Sequence, residues 1–584
     1  MTAAATPRVN RAARAELRGS LPADLSLQAL AVLATASRWW TRRAAEAGLD
    51  GWCTDVSRAV APVPFTDLAP DEVIDELLDS PGHEIAEAYV TSLDSHVRAA
   101  GGRHYTPPAL ADQMWSQTLD ACGQDWTSIL DPACGAGSLL IAPLRDWLAR
   151  HCDKAPELVL QGVASAVRGF DLDSAAVWLG NVILGAQLLS RWRQVPPPRR
   201  KPLPTLLRVA DGLAKPAAAA QVVIMNPPYG RVRLSDDDRK RWGHTLFGHA
   251  NQYGLFLAGG VEHLPKNGVM TALVPAGFLG GSYSQRLRGY LGAASELQRV
   301  AFLAERSGVF ATGVLQETVV ATFRRGSEQG RVICERITNG DGRYRRVGVG
   351  AGWLPEEVGQ PWLLPRTPDD VALVSVAARM RHRLADYGWS VSTGPLVWNR
   401  RKDQIFEDPR KGDIKIVWAA DIDGGRVHQD GRRDRQRYVR LAPAKDSFMV
   451  LSRPAVLVQR TTAPEQMRRI VAAALDKATL QEWGARVVVE NHVNVLTCYW
   501  GESPLSTRIL VALLRSEVVD RLYRCLTGSV AVSAYELGAI PLPDAATLER
   551  WAGLDDEELA AAITTVYEEP HVEQHCLELA EIAA

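Results

Sequence analysis

Between positions 128 and 334 the chain alternates short apolar runs with longer stretches whose apolar residues recur at helical spacing. The short runs are SILD, VRGFD, LLRVAD, QVVIMN and GVMTALVP. Runs of this length separated by amphipathic stretches predict an α/β domain built on a largely parallel sheet. Residues 21–100 follow a different rhythm. Ala/Leu-rich stretches broken by acidic turns such as DLAPDEVIDELLDSPGHE predict helices there. The passage TNGDGRYRRVGVGAGWLPEEVGQPWLLP is rich in Gly and Pro and reads as a connection. Beyond it KIVWAADI, AVLVQRTT and ARVVVENHVNVLT predict short strands, and SPLSTRILVALLRSEVVDRLYR opens a helical end. The organisation expected is a helical region over 1–100, an α/β domain over 101–340, a connection over 341–389 and an α+β domain over 390–584.

Composition narrows the class. A chain of 584 residues exceeds what one ordinary core supports. Its hydrophobic and charged fractions, 46% and 23%, are those of a globular protein, and nothing approaches the run of about 18 apolar residues that a membrane-spanning helix needs. The opening MTAAATPRVNRAARAELRGS lacks the apolar core of a secretory signal and reads as a disordered leader. The 8 cysteines include no C-x-x-C pair, which argues against a zinc site or a disulfide framework and fits a reducing, cytoplasmic setting. A net charge of −1 says little about a polyanionic partner, because binding depends on where charge sits. Basic residues cluster at 191–201, 231–241 and 431–440.

Four motifs carry candidate chemistry. DPACGAGSLL begins at Asp131, after a strand and before a helix, and Gly135 and Gly137 allow a tight turn that a ligand can approach closely. In GFDLD, Asp171 ends a second strand, where a carboxylate accepts from a ribose diol, while Asp173 suits a helix cap. In RVADGLA, Asp211 ends another strand and can accept from an adenine amino group. The fourth is VVIMNPPYG, which places Asn226, Pro227, Pro228 and Tyr229 at the carboxyl end of an apolar strand. Open α/β sheets keep their sites at those ends. Two successive prolines fix φ twice, so the Asn226 side chain and the Pro227 carbonyl hold a set orientation. Both oxygens accept from an –NH₂ group, and Tyr229 offers a face on which a base can stack.

The order GRHYTPPALADQMW, DPACGAGSLL, GFDLD, VAD, NPPYG resembles the gamma-class (N6-adenine) DNA amino-methyltransferases, especially the Taq type with a C-terminal target-recognition domain. The resemblance is specific over 101–323 and looser over 390–543. It implies a Rossmann-like, S-adenosylmethionine-dependent α/β domain, with a helical region before it and an α+β target-recognition domain after it. By position, Thr106 resembles the segment over the cofactor's methionine moiety, and Asp131, Ala133, Gly135 and Gly137 resemble its loop. Asp171 matches the ribose-binding acid and Asp211 the contact to the cofactor adenine. Asn226, Pro227, Pro228 and Tyr229 match the catalytic tetrapeptide, and Phe310 the aromatic on the other side of a flipped base. The family's first motif often ends in Phe where this chain has Leu139, a change confined to packing.

The C-terminal half then implies recognition of double-stranded DNA, with Gln459, Arg460, Asn491 and Asn494 as side chains able to read base edges. His492 has no companion ligands at metal spacing. The reaction implied is methylation of adenine N6 on a base rotated out of the duplex, because an amine inside the stack is out of reach. Cytosine N4, RNA or a glutamine side chain are alternative acceptors for the same tetrapeptide, and an inactive DNA-recognition module is a non-enzymatic alternative. No nuclease motif is evident in the N-terminal region, so a restriction endonuclease or other defence partner is expected as a separate protein.

Overall fold

The computed structural model describes residues 25–49, 56–60, 73–94, 96, 98, 105–303, 317–340, 343–461, 467–526 and 531–568. The chain divides into two compact units: one holds residues 1–275 and 286–347, the other 276–285 and 348–584.

The first unit is built on a mixed sheet. Its strands are β1 (Ile129–Asp131), β2 (Val167–Asp171), β3 (Leu207–Val209), β4 (Val222–Met225), β7 (Val269–Pro275), β8 (Ser295–Leu303), β9 (Thr318–Arg325), β10 (Val332–Gly340) and β11 (Arg343–Gly352). A two-stranded hairpin of β5 (Arg231–Val232) and β6 (Ala250–Asn251) stands apart from it. The order across the sheet is β11-β10-β8-β9-β7-β4-β1-β2-β3. From β3 to β8 only β9 runs against the others. Every residue of β4 and β7 is buried, as expected of strands covered on both faces. The chain leaves β1 toward β2 and β3 on one side and fills β4 and β7 on the other. This reversal makes the carboxyl ends of β1 and β4 the place where a crevice opens.

The helical region before the sheet is not a separate domain. Helices Leu27–Glu46 and Gly82–Ser92 share one hydrophobic core with the helix Ser174–Gln194 that follows β2. Trp39, Trp40, Ile85 and Tyr89 are buried in it with Val182 and Ile183. The stretch expected as a connection also departs from expectation. It contains β11, a largely exposed, glycine-containing strand at the edge of the sheet, and the helix Asp370–Arg379.

The second unit is α+β. One sheet has the order β12-β22-β19-β20-β16-β15, from strands Trp389–Thr393 (β12), Val493–Cys498 (β22), Ala455–Gln459 (β19), Ala472–Leu475 (β20), Gly425–Val427 (β16) and Ile422–Asp423 (β15). The other has the order β13-β17-β14-β21-β18, from Ile405–Phe406 (β13), Tyr438–Val439 (β17), Ile414–Val417 (β14), Val487–Val489 (β21) and Val450–Leu451 (β18). Helices Asp370–Arg379, Thr507–Arg515, Glu517–Leu526 and Asp556–Glu568 bury Leu373, Leu510, Leu522 and Ile563 in one core. A buried ion pair ties the smaller sheet's loops together. Asp421, fully buried, takes three contacts of 2.9–3.0 Å from the Arg437 guanidinium and also accepts from the Trp418 and Asp430 N–H groups.

Candidate active site

Asp131, Asp171, Asp211 and Asn226 come together because parallel pairing brings the ends of β1 to β4 to one edge of the sheet. The register sets Asp131 beside Gly169 and Asp171 beside Val209. Asp131 is 1% exposed, and its Oδ1 accepts from the Ala133 N–H at 3.0 Å. Burial pushes its carboxyl up to about 8, and the charge of Asp171 pushes the same way. Asp171 Oδ2 accepts from the Gly135 N–H at 2.8 Å and its Oδ1 from the Asp173 N–H at 2.9 Å. Asp173 caps the helix Ser174–Gln194, and the buried Tyr89 hydroxyl donates to its carboxylate. The helical region therefore braces the acidic end of β2, a role for Tyr89 that no local motif announces.

The loop after β1 turns through Gly135 and Gly137 at φ +50° and +80°. A Cβ on Gly135 would meet nothing within 4 Å, so the loop faces open space there. On the far side Gly212 closes on Pro132: a Cβ at 212 would lie 1.8 Å from the Pro132 oxygen. That contact brings Asp211, an exposed residue whose Oδ1 accepts from the Leu213 N–H at 2.9 Å, close to the β1 loop.

These residues would fit S-adenosylmethionine: the open face of Gly135 leaves room beside the backbone, a carboxylate such as that of Asp171 suits a ribose diol, and a cationic ligand would favour the charged form of the Asp131 carboxyl.

Beside this cradle the Asn226-Pro227-Pro228-Tyr229 turn leaves β4. Asn226 and Tyr229 are half-buried and Pro227 is buried. Asn226 Nδ2 donates to Thr106 Oγ1 at 3.0 Å. Tyr229 Oη lies 3.1 Å from Asn226 Oδ1 and 3.1 Å from the Leu273 carbonyl in β7. The Tyr229 ring meets Tyr253 edge to face, centroids 6.5 Å apart. Burial raises the phenol pKa, so the hydroxyl keeps its proton. Phe310 lies outside the described residues.

These positions fall in matched sequence. Residues 218–310 match the Eco57I restriction-modification methylase family. The chain is 23% identical to the Type II methyltransferase M.BsuBI of Bacillus subtilis over 71% of its own length and 82% of the relative's. It is also 23% identical to the Type II methyltransferase M.PstI of Providencia stuartii, over 56% of its length and 65% of the relative's. Among solved structures, the Type IIL restriction-modification enzyme MmeI in complex with DNA matches with a TM-score of 0.51 at 14% identity, across 89% of this chain and 82% of that one. The likeness to that structure agrees with the α/β fold expected of the first unit.

The four side chains expected to read base edges divide on inspection. Asn494 is fully buried and donates to the Val532 carbonyl, and Gln459 Nε2 donates to the carbonyls of Ala419 and Ile422, all within the second unit. Asn494 thus lies inside the core, out of reach of a base, while the Gln459 amide nitrogen braces β19 against the segment that leads into β15. Arg460, just after β19, and Asn491, in the turn between β21 and β22, are half-buried, and Arg460 Nη1 donates to the Asn491 carbonyl at 3.3 Å. His492, beside Asn491 in that turn, stands against the buried Glu490. The basic clusters are partly spent as well. Arg200 donates to the carbonyls of Val195 and Arg193, Arg241 to Leu213 and Glu262, and Arg437 to Asp421. Arg233, Arg239 and Lys240, just after the tetrapeptide, are exposed.

Among the described residues no helix is long and apolar enough to cross a membrane.

Proposed function

We propose that this protein is a site-specific DNA methyltransferase that moves a methyl group from S-adenosylmethionine to adenine N6 in duplex DNA. The observation that carries the reading is the Asn226 carboxamide, held at the end of β4 next to the acid-and-glycine cradle of β1 and β2. Asn226 Oδ1 and the Pro227 carbonyl are neutral acceptors for the two hydrogens of an exocyclic amine. Accepting both draws the lone pair out of conjugation with the ring and aims it outward. A neutral acceptor suffices, since the amine is made a better nucleophile without prior loss of a proton. The cofactor supplies an electrophilic methyl group on a sulfonium.

An amine paired in the double helix cannot reach this turn, so the target base is rotated out, with Tyr229 as the face on which it rests. Rate comes from orientation and from fixed dipoles, with no covalent bond between enzyme and base. Arg233, Arg239 and Lys240 serve DNA phosphates, and Arg460 and Asn491 of the second unit serve recognition. The match of residues 218–310 to a restriction-modification methylase family favours a role in restriction-modification beside a separate endonuclease, in the cytoplasm with the DNA to be protected. Incubating the protein with duplex DNA and labelled cofactor, then digesting the DNA to nucleosides, tests the reading. N6-methyldeoxyadenosine is expected. N4-methyldeoxycytidine would move the target to cytosine, and an unlabelled duplex would refute DNA methylation by this chain.

A further inference from the structure

We infer that Thr106 is a positioning residue for the Asn226 carboxamide, an inference that rests on the methyl-transfer reading above. Thr106 and Asn226 lie 120 positions apart, and each precedes a Pro-Pro pair: Thr106-Pro107-Pro108 and Asn226-Pro227-Pro228. Proline restricts the residue before it to extended backbone and fixes its own φ, so both side chains leave stiff supports. One support runs directly into the helix Pro108–Cys122, the other directly out of β4. Thr106 is 4% exposed, and the two side chains meet at 3.0 Å.

The direction of that bond matters. A carboxamide has one end that donates and one that accepts, and the target amine presents only hydrogens to it. Thr106 Oγ1 accepts from Nδ2, which commits the donating end to the protein. Oδ1 is then left toward Tyr229, 3.1 Å from its hydroxyl. Tyr229 has one proton and a second acceptor at equal distance, the Leu273 carbonyl. When a base amine takes Oδ1, the Tyr229 proton stays satisfied on Leu273, so the exchange leaves no buried donor unpaired. Without the Thr106 oxygen the carboxamide is free to turn over. Its –NH₂ would then face the amine, donor against donor, and the lone pair would not be drawn out.

The test is the variant Thr106→Val, which keeps the shape and removes the hydroxyl, with Thr106→Ser as the conservative partner and Thr106→Ala as a second truncation. Turnover at saturating DNA and cofactor is compared with equilibrium binding of S-adenosylmethionine. Thr106→Val and Thr106→Ala should lower kcat by about 3- to 10-fold, the worth of one net hydrogen bond, a larger effect than any rise in cofactor Kd. Thr106→Ser should recover the rate. In an Asn226→Ala background Thr106→Val should cost nothing further, because the group it positions is gone. An unchanged kcat in a folded Thr106→Val, or a loss confined to cofactor Kd, would overturn the assignment. Failure of the wild type to methylate any DNA would instead overturn the functional reading on which it stands.

Discussion

Replacing Asp131 by asparagine should make the methyltransferase unit more stable at neutral pH while weakening its hold on the cofactor. The carboxyl is 1% exposed and its pKa is pushed up to about 8, chiefly by burial. In the unfolded chain an aspartate ionises near 3.9. Between those two values the native state keeps a proton that the unfolded chain has released, so stability falls as pH rises through the window. The slope is about 1.4 kcal/mol per pH unit, which amounts to about 2.5 kcal/mol between pH 5 and pH 7. Asparagine retains the Oδ1 that accepts from the Ala133 N–H and has no proton to lose. Urea titrations of cofactor-free wild type and Asp131→Asn at pH 5 and pH 7 measure the effect. The transition that S-adenosylmethionine raises in the wild type identifies the unit to follow. The variant's advantage should grow by about 2.5 kcal/mol over that interval, and its cofactor Kd should rise because asparagine, unlike the carboxyl, cannot ionise in response to a cationic ligand. Parallel pH dependence in the two proteins would mean that Asp131 is ionised in the cofactor-free fold, and the reasoning would fail.

Two further outcomes follow from close contacts. Gly212→Ala should abolish cofactor binding or folding of the first unit, since a Cβ there lies 1.8 Å from the Pro132 oxygen in the loop that lines the cradle; wild-type binding in calorimetry would contradict this. Asp421→Ala should destabilise the second unit by about 3–5 kcal/mol, because it strands the buried Arg437 guanidinium, whereas cofactor binding by the first unit should persist. A melt unchanged from wild type would remove that ion pair from the account.

The parts of the site that were legible in the sequence are those whose physics is local. The four residues of the Asn226 turn announce a stiff loop at the end of an apolar strand, and Asp171 and Asp173 announce a strand end and a helix cap within five residues. What escaped was long-range. The Thr106–Asn226 bond spans 120 positions and the Tyr89–Asp173 bond 84, and neither partner carries a local signature of the other. Asn494 misled because a polar residue in an alternating strand usually faces solvent, whereas here its amide satisfies the Val532 carbonyl inside the core. β11 was hidden by composition. Glycines that weaken a strand's intrinsic preference are tolerated at a sheet edge, where pairing comes from one side only. The arginines of 191–201 and 431–440 counted as positive charge in sequence, yet several are committed to carbonyls and carboxylates of their own unit.

The central claim is that the Asn226 carboxamide prepares an adenine amine in DNA for methylation. Single-molecule sequencing of DNA from cells expressing the wild type or Asn226→Ala tests it most directly. The account predicts N6-methyladenine at one short recurring motif in the wild type and its loss in the variant, with the variant still binding S-adenosylmethionine. Unmodified DNA from cells that produce folded wild type, or modification that survives in Asn226→Ala, would contradict it.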